Sequence, residues 1–233
     1  MPSSHPLDDP IWNALITEHR GLALGDRMAR RYPPEIGPLS GIADESDAAY
    51  EDLRALAGPG GIVVLFLQNP AQPRAGWTLV REGPLTQMIC PDPPKATPAA
   101  LPVTATMRRL TPQDAPAMLE LATLTEPGPF RERTHELGIF FGIFEGQRLL
   151  SMAGQRTRVP GFVEVSAVCT HPDARGGGYA RTLMLAVMDE IHREGSTPYL
   201  HAWADNHSAI RVYRDLGFVH RRALHVAALR NDA

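Results

Sequence analysis

Three consecutive glycines, Gly176 to Gly178, stand between a β-rich apolar run and a long amphipathic pattern, and they constrain this chain more than any other feature. The run from Val163 to Cys169 ends at His171-Pro172. Beyond the glycines, Ala180, Leu183, Met184, Val187 and Ile191 recur at helical spacing, Asp189, Glu190, Arg193 and Glu194 fall mainly opposite, and Gly195 supplies a stop. The pattern predicts a strand, a tight turn and a helix that packs on a sheet with its N-terminus at the glycines. Such a terminus offers unpaired N–H groups and about half a positive charge, which suits a phosphate or pyrophosphate. Glycines remove Cβ atoms where backbone must meet phosphate oxygens, Ala180 keeps the first turn thin, and Arg175 adds a cation. A turn that merely needs glycine is the bland alternative.

Downstream, Asn206 is followed by Ala209, Tyr213 and Leu216-Gly217-Phe218, which reads as a short helix closed by glycine and leading into a strand. The order Arg-x-x-Gly-x-Ala at a helix head, a strand, then Asn-x-x-Ala-x-x-x-Tyr-x-x-x-Gly-Phe resembles the acyl-CoA-binding core of the GNAT superfamily of N-acyltransferases. Arg175, Gly178 and Ala180 fill the three positions of its loop motif. The resemblance extends to the stretch Met107 to Asp114, which is similar to the usual first strand and first-helix entry, and so covers roughly 103 to 230. Within the superfamily, the wording of 164 to 180 is most similar to the glycine N-acyltransferase-like branch. The resemblance implies an α+β fold with a mixed sheet flanked by helices, acetyl-CoA as acyl donor, and an amine acceptor that the motifs do not identify. It also implies donor contacts at Arg175, Gly176, Gly177, Gly178, Tyr179 and Ala180.

The rest of the chain divides around its prolines. Five of them, at 91, 93, 94, 98 and 102, mark residues 91–102 as a linker between an N-terminal α+β domain, 1–90, and a catalytic domain, 103–233. In the first part, one or two helices are expected from Pro10 to about Arg31, a loop at Tyr32 to Pro38, and a short helix from Ser46 to Ala57. A buried strand is expected at Ile62 to Leu67, and a hairpin of Trp77–Arg81 with Leu85–Cys90 turning at Glu82-Gly83-Pro84. In the second part, helical patterns at Gln113–Leu124 and Phe130–Leu137 precede strands at Ile139–Phe144 and Leu149–Gln155. The similar order of elements suggests that 1–90 is a degenerate GNAT-like half without the glycine loop.

Acyl transfer from a thioester to an amine needs a neutral nucleophile, a polarised carbonyl and a proton for the departing thiolate. By its spacing to Arg175, Glu164 corresponds in the resemblance to a general base used by some members, with partial burial expected to raise its pKa towards neutrality. The alternative is an ion-pair partner for Arg156 or Arg158. Tyr213 is the candidate acid for the thiolate, or else an interfacial core tyrosine. Asn206 either caps the helix carrying Tyr213 or bonds the pantetheine arm. Backbone amides at Val168, Cys169 and Thr170 are the expected donors to the thioester oxygen. His171, His201 and His207 read as solvated or capping residues.

Composition narrows the classes. Charged residues make up 21% of the chain and the formal net charge is −3, which gives no support to a general nucleic-acid or membrane-surface binder. No signal-peptide pattern opens the sequence and no apolar run is long enough to span a bilayer, so a cytoplasmic setting is expected. Cys90 and Cys169 stand far apart and read as small buried residues rather than a disulfide or metal pair, and no metal is expected. The leading expectation is an acetyl-CoA-dependent N-acetyltransferase working by direct transfer, its oligomeric state open. The second is a non-catalytic acyl-CoA-binding module, and a nucleotide-phosphate site is third because no P-loop pattern is present.

Overall fold

The computed structural model describes residues 5–232. The first part contributes helix α1 (Pro10–Ile16), short strands β1 (Ala29–Arg31) and β2 (Ser40–Ile42), helix α2 (Asp47–Ala57), and strands β3 (Ile62–Leu67) and β4 (Trp77–Ile89). The second contributes β5 (Ala105–Arg109), α3 (Ala115–Thr125), β6 (Phe140–Glu145), β7 (Arg148–Val159), β8 (Phe162–Thr170), α4 (Tyr179–Arg193), β9 (Thr197–Trp203), α5 (His207–Asp215) and β10 (Val219–Asn231). Local chemistry sets many of these limits. Ser46 caps α2 by accepting from Ala49 N–H at 3.3 Å, and Gly58, at φ +68°, ends it. Among the described residues, no helix is long and apolar enough to cross a membrane.

Eight strands form one mixed sheet in the order β3-β10-β4-β9-β8-β7-β6-β5, with β1 and β2 in a separate ribbon. Strand β4 lies between β10 and β9, so this sheet runs without a break across the chain segment from 91 to 102. That segment has no regular structure. On β7, Leu150 and Ala153 join the core beneath α4, while Leu149 and Met152 join the core beneath α3. The strand alternation therefore puts α4 and α3 on opposite faces. Helix α1 also packs on β7, and its residues share a core with Tyr32, Val64 and Leu137.

Three local expectations change. The hairpin at Glu82-Gly83-Pro84 is one strand, β4, because β10 pairs along both halves, with a bulge at Val80, and pairing with β9 begins at Leu85, one residue beyond Pro84. The segment from Pro10 to Arg31 is one helix, a 3-10 turn at Arg20–Leu22 and then strand β1. The helical pattern over Phe130–Leu137 is reduced to a 3-10 turn at Thr134–Leu137, following a Pro-Gly-Pro sequence that cannot hold a helix.

Candidate active site

Strands β8 and β9 are parallel partners only through Phe162–Glu164 and Thr197–Tyr199. Beyond that point β9 continues along β4, and β8 keeps only β7. The edge of β8 from Val165 to Thr170 is thus left facing a gap. Within it, pairing with β7 jumps from Cys169–Met152 to Ser166–Gly154, so Ala167 and Val168 together oppose Ala153. This is a β-bulge, and Ala167 at φ +52° is held in the left-handed region that a residue with a Cβ rarely adopts. The bulge disturbs the β7–β8 ladder next to Val168, Cys169 and Thr170, the residues expected to serve an oxyanion.

Helix α4 begins at the end of the same strand. Gly178 is its N-cap at φ +74°, and no side chain caps the helix, so its first N–H groups remain available to an anion. Gly176, at φ +84°, has open space where a Cβ would stand. Gly178 differs: a Cβ there would come within 2.7 Å of the Ala99 Cβ, and Ala99 N–H donates to Thr182 Oγ1 at 3.0 Å. The proline-rich segment therefore lies against the first turn of α4. Arg175 is exposed, with Nε 3.5 Å from the Thr170 carbonyl. Tyr179 is buried, its ring joining the core beneath α4 and lying beside Gly177, where a Cβ would come within 3.3 Å of it. Cys169 is also buried, and burial pushes its thiol up to about 11. Thr170 Oγ1 lies 2.8 Å from Ser151 Oγ.

Helix α5 carries the other predicted residues. Asn206 Oδ1 accepts from Ala209 N–H at 3.2 Å, so Asn206 caps the helix. Tyr213 is half-buried against the core beneath α4 and meets Phe218 edge-on at 6.2 Å between ring centres. Its hydroxyl has no hydrogen-bond partner among the described residues, and burial raises its pKa.

Glu164 overturns its expectation. Its side chain is 1% exposed, and its oxygens accept from Arg156 Nε at 2.9 Å and Nη2 at 2.6 Å. Burial alone would raise the carboxyl, but the Arg156 charge and the His201 hydrogen bond outweigh it and hold the group well below the usual carboxylate range. The ion-pair alternative is the one the structure contains, and a carboxylate so stabilised is a weak base.

His201 is not solvated. Its Nδ1 lies 2.7 Å from Glu164 Oε1, and its Nε2 lies 3.0 Å from Gln87 Nε2. Gln87 Oε1 accepts from Arg221 Nη1 at 2.8 Å, and Arg221 Nη2 donates to Asp8 at 2.6 Å. Because the Gln87 amide nitrogen is a donor, the network has His201 donate from Nδ1 to Glu164 and accept at Nε2 from Gln87. The row Arg156, Glu164, His201, Gln87, Arg221 therefore crosses the adjacent strands β7, β8, β9, β4 and β10 with its donors and acceptors matched. Sequence reasoning missed Gln87, Arg221 and the role of His201, because 114 residues separate Gln87 from His201 and no spacing rule joins them. By contrast, His171 caps the turn at Pro172–Ala174 and His207 is exposed at the start of α5.

A family model described as FR47-like protein matches residues 140–226. No curated protein matches the chain. Among solved structures, a GNAT-family protein from Novosphingobium aromaticivorans is 37% identical, with 99% of this chain and 100% of that chain covered and a TM-score of 0.89. A GCN5-related N-acetyltransferase from Kribbella flavida has a TM-score of 0.62 at 15% identity, covering 96% of each chain. A tandem GNAT protein from the clavulanic acid biosynthesis pathway has a TM-score of 0.58 at 15% identity, covering 87% of this chain and 78% of its own. These two show a shared fold, whereas the first relative matches in sequence over the length of both chains: the chain belongs to the GNAT family.

Proposed function

We propose that this protein is an N-acetyltransferase that moves an acetyl group from acetyl-CoA to a primary amine by direct transfer in a ternary complex. The observation that carries the reading is the gap beyond the Glu164–Tyr199 pair, where a bulged strand leads through the turn at Pro172–Ala174 into an uncapped, glycine-headed helix. The α4 N–H groups, the main chain of Gly176 to Ala180 and the Arg175 cation fit a pyrophosphate. Amides of Val168 to Thr170 fit the pantetheine arm and the thioester oxygen, and the free amide nitrogen of Asn206 lies beyond its cap.

In the transfer, the amine nitrogen attacks the thioester carbon, the carbon–sulfur bond breaks, and the sulfur takes a proton as the nitrogen loses one. Tyr213 supplies the hydrogen bond to the departing sulfur, since its phenol stays protonated at neutral pH and has no competing partner. Glu164 serves by fixing Arg156 and His201, and the amine proton leaves through water.

Residues 1–90 help to shape the acceptor side and bind no second CoA, joined through 91–102 to the unit 103–233, which holds the donor. The tandem GNAT neighbour supports reading 1–90 as a degenerate GNAT-like half. Placement in the glycine N-acyltransferase-like branch rests on the wording of 164–180, and a cytoplasmic setting rests on composition. Calorimetric titration with CoA tests the donor site: one CoA per chain is expected, and no binding would remove the basis of the proposal.

A further inference from the structure

Beside the Ala167 bulge, the loop Pro127–Phe130 closes over Gln155, Arg156 and Ser166 and leaves a small pocket with room for about one water-sized group. Its polar side chains present donors. Gln155 is 1% exposed, and its Oε1 accepts from Ile139 N–H and from Arg158 Nη2, both at 3.3 Å, which fixes the orientation of the amide. The Gln155 Nε2 is then left buried with no partner among the described residues. Arg156 commits Nε and Nη2 to Glu164, while Nη1 lies toward Gly128, 4.0 Å from where a Cβ on that glycine would stand. The Ser166 hydroxyl, on β8 beside the bulge, is also unengaged among the described residues.

A buried amide donor without an acceptor is costly, and native proteins keep few of them. Here three residues of β7 and β8 that carry uncommitted donors line one space with room for about a water molecule. The charge balance limits which oxygen it takes. Glu164 already neutralises Arg156, so a carboxylate would bring a second anion into a buried setting with no cation left for it, whereas a neutral carbonyl oxygen accepts the same bonds without that penalty. Ala167 both lines this pocket and forms the bulge on the edge assigned to the thioester, so an oxygen held here lies close to the reacting nitrogen.

Resting on the acetyl-transfer reading, we infer that the pocket is an acceptor subsite for an amide carbonyl next to the amine, which makes α-amino amides the preferred acceptor class. Gln155 and Ser166 are specificity-determining residues in this arrangement.

The test compares glycinamide, glycine and ethylamine as acceptors with acetyl-CoA, in the parent, Gln155→Glu and Ser166→Ala. Gln155→Glu keeps the acceptor oxygen that Ile139 and Arg158 use and removes the donor; Ser166→Ala is a minimal change that spares the fold. The parent is expected to favour glycinamide over each of the others in kcat/KM by about tenfold or more, and Gln155→Glu is expected to reduce the glycinamide-to-ethylamine ratio by about tenfold. Equal kcat/KM for glycinamide and ethylamine, or a preference for glycine, would overturn the inference. If no amine is acetylated, the transfer reading fails, and calorimetry on CoA-saturated protein decides the pocket separately. Binding of glycinamide that exceeds that of glycine and ethylamine, and is lost in Gln155→Glu, supports the subsite, and equal or absent binding overturns it.

Discussion

Arg156 and Glu164 meet across the β7–β8 pair through two hydrogen bonds of 2.9 and 2.6 Å, with the carboxylate buried and the guanidinium nearly so. The pair is one end of a row that joins five neighbouring strands, so its loss affects both the sheet and the gap beside it. Glu164→Gln leaves a buried guanidinium without its counter-charge and should cost about 3–5 kcal/mol of stability in denaturant unfolding. Replacing both partners with apolar residues of similar volume should cost less than Glu164→Gln alone. A loss under about 1 kcal/mol in the single variant would show that the pair is solvated, as surface pairs are.

The depressed pKa of Glu164 has a definite sign. Its contribution to stability is present above the unfolded value of about 4.3 and is lost as pH falls through the much lower folded value. Titration of this carboxyl therefore gives no acid limb near neutrality in the pH–rate profile. A limb between about pH 6 and 7 that disappears in Glu164→Gln would restore the general-base role.

Asp9, at the N-cap of α1, moves in the opposite direction: burial raises its carboxyl to about 7, and Glu45 adds to the effect. Between its unfolded value of about 3.9 and about 7, the folded protein holds a proton that the unfolded chain has released. Stability should therefore fall as pH rises through that window and level off above it. At about 1.4 kcal/mol for each pH unit of the window, the loss has a ceiling of about 4 kcal/mol. Asp9→Asn should be more stable than the parent at pH 8 and equal to it near pH 4, as read from unfolding curves at the two pH values.

The phosphate end is best probed without disturbing α4. Gly178 sits at φ +74° against Ala99, so a side chain there would strain the turn as well as block a ligand. Arg175→Glu is exposed and introduces no strain, and it should weaken CoA binding about tenfold or more while leaving the melting temperature unchanged. Unaltered affinity at low ionic strength would place the pyrophosphate elsewhere.

Tyr213→Phe keeps the ring against Phe218 and removes only the hydroxyl. The single-turnover rate should fall about 10²-fold with CoA affinity preserved, because the bond to sulfur forms as negative charge develops there. An unchanged rate with weakened CoA binding would make Tyr213 a packing residue.

The second half of the fold was legible because its signals are local. The run from Val163 to Cys169, the glycines and the apolar stripe from Ala180 to Ile191 each declare themselves within a few residues, and β8 and α4 lie where these patterns put them. Of the two roles the sequence leaves open for Asn206, the cap is present. What was hidden depends on tertiary pairing. The Glu-Gly-Pro signal in β4 yields to a partner strand more than 130 residues away, with Pro84 opposite His225. His201 reads as solvated or capping, and Gln87 as one residue of an expected strand, until the sheet brings them face to face. Glu164 stands out in the sequence, but the direction in which its pKa moves depends on Arg156 and His201, and spacing along one strand does not report their geometry.

Acetyl transfer itself is most directly tested by mixing the purified protein with acetyl-CoA and a panel of primary amines, then measuring thiol release and product mass together. Thiol release that requires the amine, matched by an acetylated amine of the expected mass and lowered in Tyr213→Phe, is the expected result. CoA binding without amine-dependent thiol release for any amine in the panel would contradict it and leave the chain a binding module on a GNAT fold.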